Sequence, residues 1–252
     1  LKFKGVDYVV EEAKPESFDG IDIALFAGGS ISKTLAPEAA KRGAVVIDNS
    51  STFRMDPEVP LVIPEINPED IKWNKGIIAN PNCSTIIMLM ALKPLHDLAR
   101  IKRIVVSTYQ AVSGAGKEGI DELTDQVKAY AEGAEMVANI LPSSSCKKHY
   151  PIAFNLIPQI DVFLDNLYSK EEMKMVNETK KIFHDDEMRI TATTVRVPVY
   201  RSHSESVNIE FEHDLDLEDM RKAIDAFPGV QMMDDLENQI YPMPLYTSEQ
   251  YD

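Results

Sequence analysis

Gly76-Ile77-Ile78-Ala79-Asn80-Pro81-Asn82-Cys83-Ser84-Thr85-Ile86-Ile87-Met88-Leu89-Met90-Ala91-Leu92 decides the fold class. Gly76 to Ala79 reads as a short strand, Asn80 to Thr85 as a polar loop, and Ser84 to about Leu92 as an apolar helix. The same order stands upstream. The β-type run Ile21 to Phe26 ends in Ala27-Gly28-Gly29-Ser30, a helical pattern N-capped by Ser30 follows to Arg42, Gly43 closes it, and Ala44 to Asp48 is a second buried strand. Strand, loop, helix, strand predicts a parallel sheet with crossover helices.

Downstream, Arg103 to Gln110 is a further strand and the texture then changes. Polar helical segments, Lys117 to Glu132 and Lys170 to Phe183, alternate with long β-type runs, Arg189 to Val199 and Ser204 to Phe211. This predicts an α+β domain on an antiparallel or mixed sheet. The expected class is therefore α/β, with an incomplete Rossmann-type parallel sheet domain over 1–82 and an α+β catalytic and dimerisation domain over 83–252.

At 252 residues and 44% hydrophobic, the chain can bury a core. Its longest apolar run, Ile86 to Leu92, falls far short of the roughly 20 residues that span a bilayer. A net charge of −15 repels phosphate backbones and anionic headgroups, which argues against nucleic-acid and membrane roles. Two cysteines supply neither a disulfide framework nor a four-thiolate metal site, so a reducing cytoplasm is expected and no metal. The first residue is Leu1 and the last, Asp252, follows a turn-like stretch, so the chain reads as a piece of a longer protein.

Cys83 stands between a strand end and a helix start, where unpaired N–H groups and the helix dipole favour a thiolate; it is a candidate nucleophile or a small buried apolar residue. Cys146, in a polar stretch, has no such setting. Of the five histidines, His203 in Arg201-Ser202-His203-Ser204-Glu205-Ser206 breaks two strong β-type runs, and is a proton-transfer partner or a surface turn residue. Arg196 interrupts a β-branched run; buried, its guanidinium needs an anion, and otherwise it points outward. Glu171 and Lys174 share a helix face at i and i+3, as a simple ion pair would. Gly28-Gly29-Ser30 and Ser113-Gly114-Ala115-Gly116 each precede a helix, as a phosphate or ribose site does and as an ordinary turn does. No G-x-G-x-x-G follows the β-type run Ile21 to Phe26.

An ordered series of segments closely resembles bacterial aspartate-β-semialdehyde dehydrogenases. It comprises Asp48-Asn49-Ser50-Ser51-Thr52-Phe53-Arg54, Val62-Ile63-Pro64-Glu65-Ile66-Asn67, Asn80-Pro81-Asn82-Cys83-Ser84-Thr85, Ser107-Thr108-Tyr109-Gln110-Ala111-Val112-Ser113-Gly114-Ala115-Gly116, His149-Tyr150-Pro151-Ile152-Ala153-Phe154-Asn155 and His203-Ser204-Glu205-Ser206, and covers essentially the whole chain. By this resemblance the chain lacks about one βαβ unit, some 30 or more residues, at its start, and a tail at its end.

The resemblance implies phosphate-dependent, reversible oxidation of L-aspartate 4-semialdehyde to 4-aspartyl phosphate with NADP, in lysine, threonine and methionine biosynthesis. It makes Cys83 the nucleophile and His203 the general acid/base. Gln110, Glu171 and Arg196 would bind substrate, Glu171 holding the ammonium, with Glu172 and Glu178 close by as alternatives. Arg54, Asn82 and Lys174 would bind phosphate, and Ser30, Ser113 and Gly114 would contact the cofactor. A homodimer through the second domain is implied. The rival readings are a related acyl-phosphate reductase, such as one acting on N-acetyl-γ-glutamyl phosphate or glyceraldehyde 3-phosphate, a Cys/His hydrolase, and a catalytically silent truncated chain that only dimerises.

Overall fold

The computed structural model describes residues 1–248; 249–252, the end of the expected second domain, lie outside the described residues. The chain divides into two compact units, one of residues 1–63 and 68–81 and one of 64–67 and 82 onward.

In the first unit a small antiparallel hairpin, β1 (Lys2–Phe3) with β2 (Val6–Asp7), precedes β3 (Ile23–Phe26), α1 (Ser32–Lys41), β4 (Val45–Asp48) and β5 (Ile77–Ala79). The last three strands form a parallel sheet in the order β3-β4-β5. Its core sets Ala24, Phe26, Ala44 and Val46 against Leu35, Ala36 and Ala39 of α1, where small residues let helix and sheet approach closely. Ser30 is not the N-cap. One turn of 3₁₀-helix, Gly29–Ile31, intervenes, and the Ser32 N–H bonds back to the Gly29 and Ser30 carbonyls. Backbone thus takes the work expected of the Ser30 hydroxyl, and Gly29, at φ 62°, permits the turn.

The second unit holds α2 (Cys83–Leu98), β6 (Ile101–Gln110), α3 (Gly116–Ala131), α4 (Lys170–Phe183), β7 (Arg189–Arg196), β8 (Ser204–Phe211), α5 (Leu217–Asp225) and the single turn α6 (Pro244–Thr247). Its sheet is mixed, in the order β7-β6-β8, with β6 parallel to β7 and antiparallel to β8. Ile104, Val106, Thr108 and Gln110 alternate onto the buried face of β6, the period-2 pattern of a half-covered strand. Helix α2 packs on β6 and β8, and α4 packs on β7.

Two boundaries differ from expectation by three residues or more. Helix α2 continues past Leu92 because buried Leu92, Pro94 and Leu95 hold it packed, which outweighs the one backbone bond Pro94 cannot make. Strand β7 stops at Arg196 instead of reaching Val199. Pro198 has no N–H for a ladder, and the Val199 carbonyl instead accepts the Val112 N–H at 2.8 Å.

Helix α3 anchors the long connection to α4. The Glu122 carboxylate accepts the N–H groups of Asn139, Ile140 and Leu141 at 2.6, 2.9 and 3.3 Å. One turn on, Gln126 accepts those of Ile152 and Ala153 and donates to the Val137 carbonyl. Non-regular backbone buried beside the Val112, Leu123, Leu141 and Ile152 cluster is thereby satisfied.

Candidate active site

The start of α2, the end of β6, the first turn of α4 and the β7 and β8 ends that flank β6 bring together most of the residues singled out in the sequence. Cys83 is the first residue of α2. Asn82 is its N-cap, its Oδ1 accepting the Ser84 and Thr85 N–H groups at 3.0 and 3.2 Å. The Asn82 N–H donates to Glu178 at 2.6 Å and its Nδ2 to Glu171 at 2.9 Å, so two carboxylates of α4 fix the loop that presents the thiol.

Glu171 is the hub. Its Oε1 also accepts from Gln110 Nε2 at 3.3 Å, and its Oε2 from Lys174 Nζ at 3.1 Å. Gln110 Nε2 donates to Ser84 Oγ as well, and Lys174 lies 3.5 Å from Asp161. Burial pushes the Glu171 carboxyl upward, but Lys174, Asn82 and Gln110 outweigh it and hold the group below the usual carboxylate range. The three glutamates have different partners. Glu172 is occupied in a capping box with Ser169 and accepts the Thr194 N–H at 3.1 Å. Glu178 holds the Asn82 backbone.

Arg196 ends β7 and is 3% exposed, so its guanidinium is buried, not outward-facing. Nη1 donates to the Ala111 carbonyl at 2.7 Å, while Nε is buried without a partner among the described residues. A buried unpaired donor on a cation is costly unless a ligand supplies the anion. Ala111 also gives its N–H to His203 Nδ1 at 3.0 Å, so one residue's backbone ties arginine and imidazole together. Gly114 closes this corner. A Cβ there would stand 2.8 Å from Arg196 Nη1 and 3.3 Å from His203 Nε2, so only glycine permits the approach. Burial and the Arg196 charge hold His203 down at about 4.

Cys83 remains solvent-exposed as a residue, yet its thiol is pushed above the ordinary value. Desolvation by the surrounding protein and the Glu171 charge outweigh the Ser84 N–H and Arg196. The expectation that the helix start alone favours thiolate is therefore corrected: at rest the group is a thiol.

Ser113 lies beside Gly114 in a 3₁₀ turn before α3, its N–H donating to Tyr200 O at 3.1 Å. Ser30 and Arg54 belong to the first unit. Arg54 is 8% exposed and donates to the Asn49 carbonyl at 3.0 Å; Ser30 sits in the glycine turn after β3. Cys146 is half-buried in a serine-rich loop.

Residues the sequence did not single out include Ala111 and Ser84, which act through backbone or a short hydroxyl contact and carry no compositional signal. Glu205, on β8, is another. Both its oxygens are buried with no partner among the described residues, and so is the hydroxyl of Thr108, its cross-strand neighbour. Burial alone pushes this carboxyl up to about 8.

A parallel sheet followed by a mixed-sheet domain that presents one cysteine with arginine, glutamate and histidine defines the class. Residues 2–74 match the family model "Semialdehyde dehydrogenase, NAD binding domain" and 92–252 match "Semialdehyde dehydrogenase, dimerisation domain". The aspartate-semialdehyde dehydrogenase of Bacillus subtilis (strain 168) is 54% identical over 246 residues, covering 97% of this chain and 71% of that protein. That of Aquifex aeolicus is 55% identical over 249 residues, covering 97% and 72%. The crystal structure of aspartate semialdehyde dehydrogenase II from Vibrio cholerae, complexed with ASA, superposes with a TM-score of 0.89 at 43% identity, covering all of this chain and 73% of that one. The chain belongs to the aspartate-semialdehyde dehydrogenase family. No helix among the described residues is long and apolar enough to cross a membrane.

Proposed function

We propose that this chain, a partial dinucleotide-binding domain over 1–82 and a catalytic and dimerisation domain over 83–252, carries the thioester chemistry of a phosphorylating, NADP-dependent aspartate-semialdehyde dehydrogenase working in the cytoplasm as a homodimer. The observation that carries this reading is Arg196, a buried guanidinium whose Nε has no partner among the described residues, set among Cys83, Glu171 and His203. That donor set fits an amino acid. Arg196 takes the α-carboxylate, whose two oxygens match its fork, and Glu171, kept charged by its partners, takes the ammonium. The free two-carbon side chain then reaches Cys83. A reductase for an N-acetylated substrate would have no cation for Glu171, and a hydrolase would have no need of phosphate-holding cations.

Cys83 attacks the acyl phosphate to form a thioester and expels phosphate, because sulfur is both a strong nucleophile and a good leaving group. Lys174 and the second amide hydrogen of Asn82 Nδ2 are assigned to that phosphate. Gln110 orients the reacting carbonyl next to the thiol, and His203 Nε2 faces the same corner through Gly114.

The cofactor's fit rests on two glycine turns. Gly28 stands in the turn that follows β3, where a Cβ would lie 2.4 Å from Cγ2 of the exposed Ile31, at the carboxyl end of a parallel strand where nucleotides bind in such sheets. Gly114 leaves the corner beside His203 clear. Within the second unit, Ser113 and Gly114 would contact a nicotinamide dinucleotide, which supplies or removes the hydride. A Candida albicans aspartate semialdehyde dehydrogenase solved with NADP, 25% identical with a TM-score of 0.65, supports NADP as that dinucleotide.

The test is chemical. In the enzyme containing this chain, Cys83→Ser is expected to lose turnover by orders of magnitude and to trap no acyl adduct, while Cys146→Ser keeps both. An adduct mapped to Cys146 by mass spectrometry overturns the assignment.

A further inference from the structure

We propose that Asp161 is a positioning residue, which takes over Lys174 when the substrate's ammonium occupies Glu171 and so keeps the lysine aimed at phosphate. The inference deepens the reading above, in which Glu171 binds the ammonium and Lys174 the phosphate, and rests on it.

It begins with the oxygens of Glu171. An ionised carboxylate offers about four lone-pair positions, shared equally between its oxygens. Oε1 already accepts from Asn82 Nδ2 at 2.9 Å and from Gln110 Nε2 at 3.3 Å, so the substrate's ammonium has to come to Oε2. Lys174 Nζ stands there at 3.1 Å. Glu171 is buried, and two ammonium groups on one of its oxygens would repel each other with little screening by water. For the substrate to bind, the lysine has to give way.

Its second partner is already in place. Asp161 Oδ2 lies 3.5 Å from Lys174 Nζ, a looser contact than the one to Glu171. The other oxygen, Oδ1, accepts the Val162 N–H at 2.8 Å and so fixes the carboxylate. The backbone on either side is tied to both ends of the amino-acid grip. Ile157 exchanges hydrogen bonds of 2.9 and 3.1 Å with Arg196, and the Val162 carbonyl accepts the N–H of Lys170, the first residue of α4, at 2.9 Å. Gln159 Nε2 donates to the Asp161 carbonyl at 3.0 Å. Asp161 itself sits at φ 64°, in the left-handed region that glycine, asparagine and aspartate tolerate best. Glycine or asparagine would serve that turn equally well, and what aspartate adds is charge. With the ammonium on Glu171, the α-carboxylate on Arg196 and Asp161 on Lys174, each charge of the loaded site keeps an opposite neighbour, and the lysine changes partner by side-chain rotation alone.

The test is kinetic, in the enzyme containing this chain, with phosphate and the semialdehyde each varied at saturating levels of the other. Asp161→Asn keeps the oxygen that accepts from Val162, and Asp161→Gly keeps the backbone conformation; both remove the charge. In both variants the lysine stays on Glu171, where it competes with the ammonium and is lost to phosphate. KM for both substrates is therefore expected to rise about three- to tenfold while kcat stays within about threefold, the mark of one partly exposed ion pair that acts on binding. In a Lys174→Ala background, Asp161→Asn is expected to raise neither KM, since the residue acts only through the lysine. Unchanged or lower KM values in both single variants overturn the proposal, and so does an equal rise with the lysine removed, which would mark a merely structural role. Failure of the underlying reading shows separately, before any change at Asp161: Lys174→Ala alone would then leave KM for phosphate at the wild-type value, and the proposal would fall with it.

Discussion

Replacing Glu205 by glutamine gives a sharp test of how the second unit is held together. The carboxyl is buried opposite the Thr108 hydroxyl, which has no partner among the described residues, and ionises only near pH 8, against 4.5 for a free glutamate. Below pH 4.5 folded and unfolded chains both hold this proton. Between 4.5 and 8 only the folded chain does, so stability falls as pH rises through that window and levels off above it. Each unit is worth about 1.4 kcal/mol, so at pH 7 keeping the proton costs at most about 3 kcal/mol. Water reaching a residue that is not fully enclosed reduces this, and about 1–3 kcal/mol is expected. Glutamine has the same shape and no proton to keep. Glu205→Gln should therefore match wild type near pH 5 and exceed it progressively towards pH 8. Urea unfolding followed by circular dichroism is the assay; the single tryptophan, Trp73, lies in the other unit and reports on that one. Stability curves that run parallel between pH 5 and 8 would refute the reasoning.

Arg196→Lys keeps the charge but loses the fork and the bond to Ala111, so kcat/KM for the semialdehyde should fall by the equivalent of roughly 2–4 kcal/mol; unchanged kinetics would remove Arg196 from substrate recognition. Gly114→Ala puts a methyl 2.8 Å from Arg196 Nη1, and steady-state assays should show kcat reduced by at least about tenfold, with circular dichroism unchanged. Glu122→Ala leaves three backbone N–H groups without their acceptor. Thermal unfolding should show a loss of about 2–4 kcal/mol, and a smaller loss would mean that water replaces the carboxylate freely.

Much of this arrangement was legible in the sequence because its signals are local. Helix α4 and strand β8 begin and end where their patterns predict, since a Ser-x-x-Glu capping box and a clean alternation mark them. Cys83 at the start of α2 followed from a strand, a polar loop and an apolar run in immediate succession. What escaped depends on contacts between distant segments. The thiol's raised titration comes from Glu171, 88 residues further on, and from burial, neither of which a helix-start argument contains. The protonated state of Glu205 follows from burial alone, which only the folded chain creates. Ser30 failed as a cap because a 3₁₀ turn supplied the same hydrogen bonds from backbone, which side-chain identity does not reveal.

The joint at residue 111 has a consequence for how such a site drifts over time. Both of its bonds leave from the main chain, at φ −62° and ψ 151°, and the methyl side chain takes no part. Residue 111 is fully buried, so any small residue would serve, and proline alone among them would sever the link to the imidazole. The spacing between the group that grips the carboxylate and the group that faces the reacting carbonyl is therefore set by one residue's backbone torsions. That makes the joint a calliper of fixed opening: substitutions around it can change which headgroup is held, but a substrate one carbon longer or shorter would require the chain itself to bend.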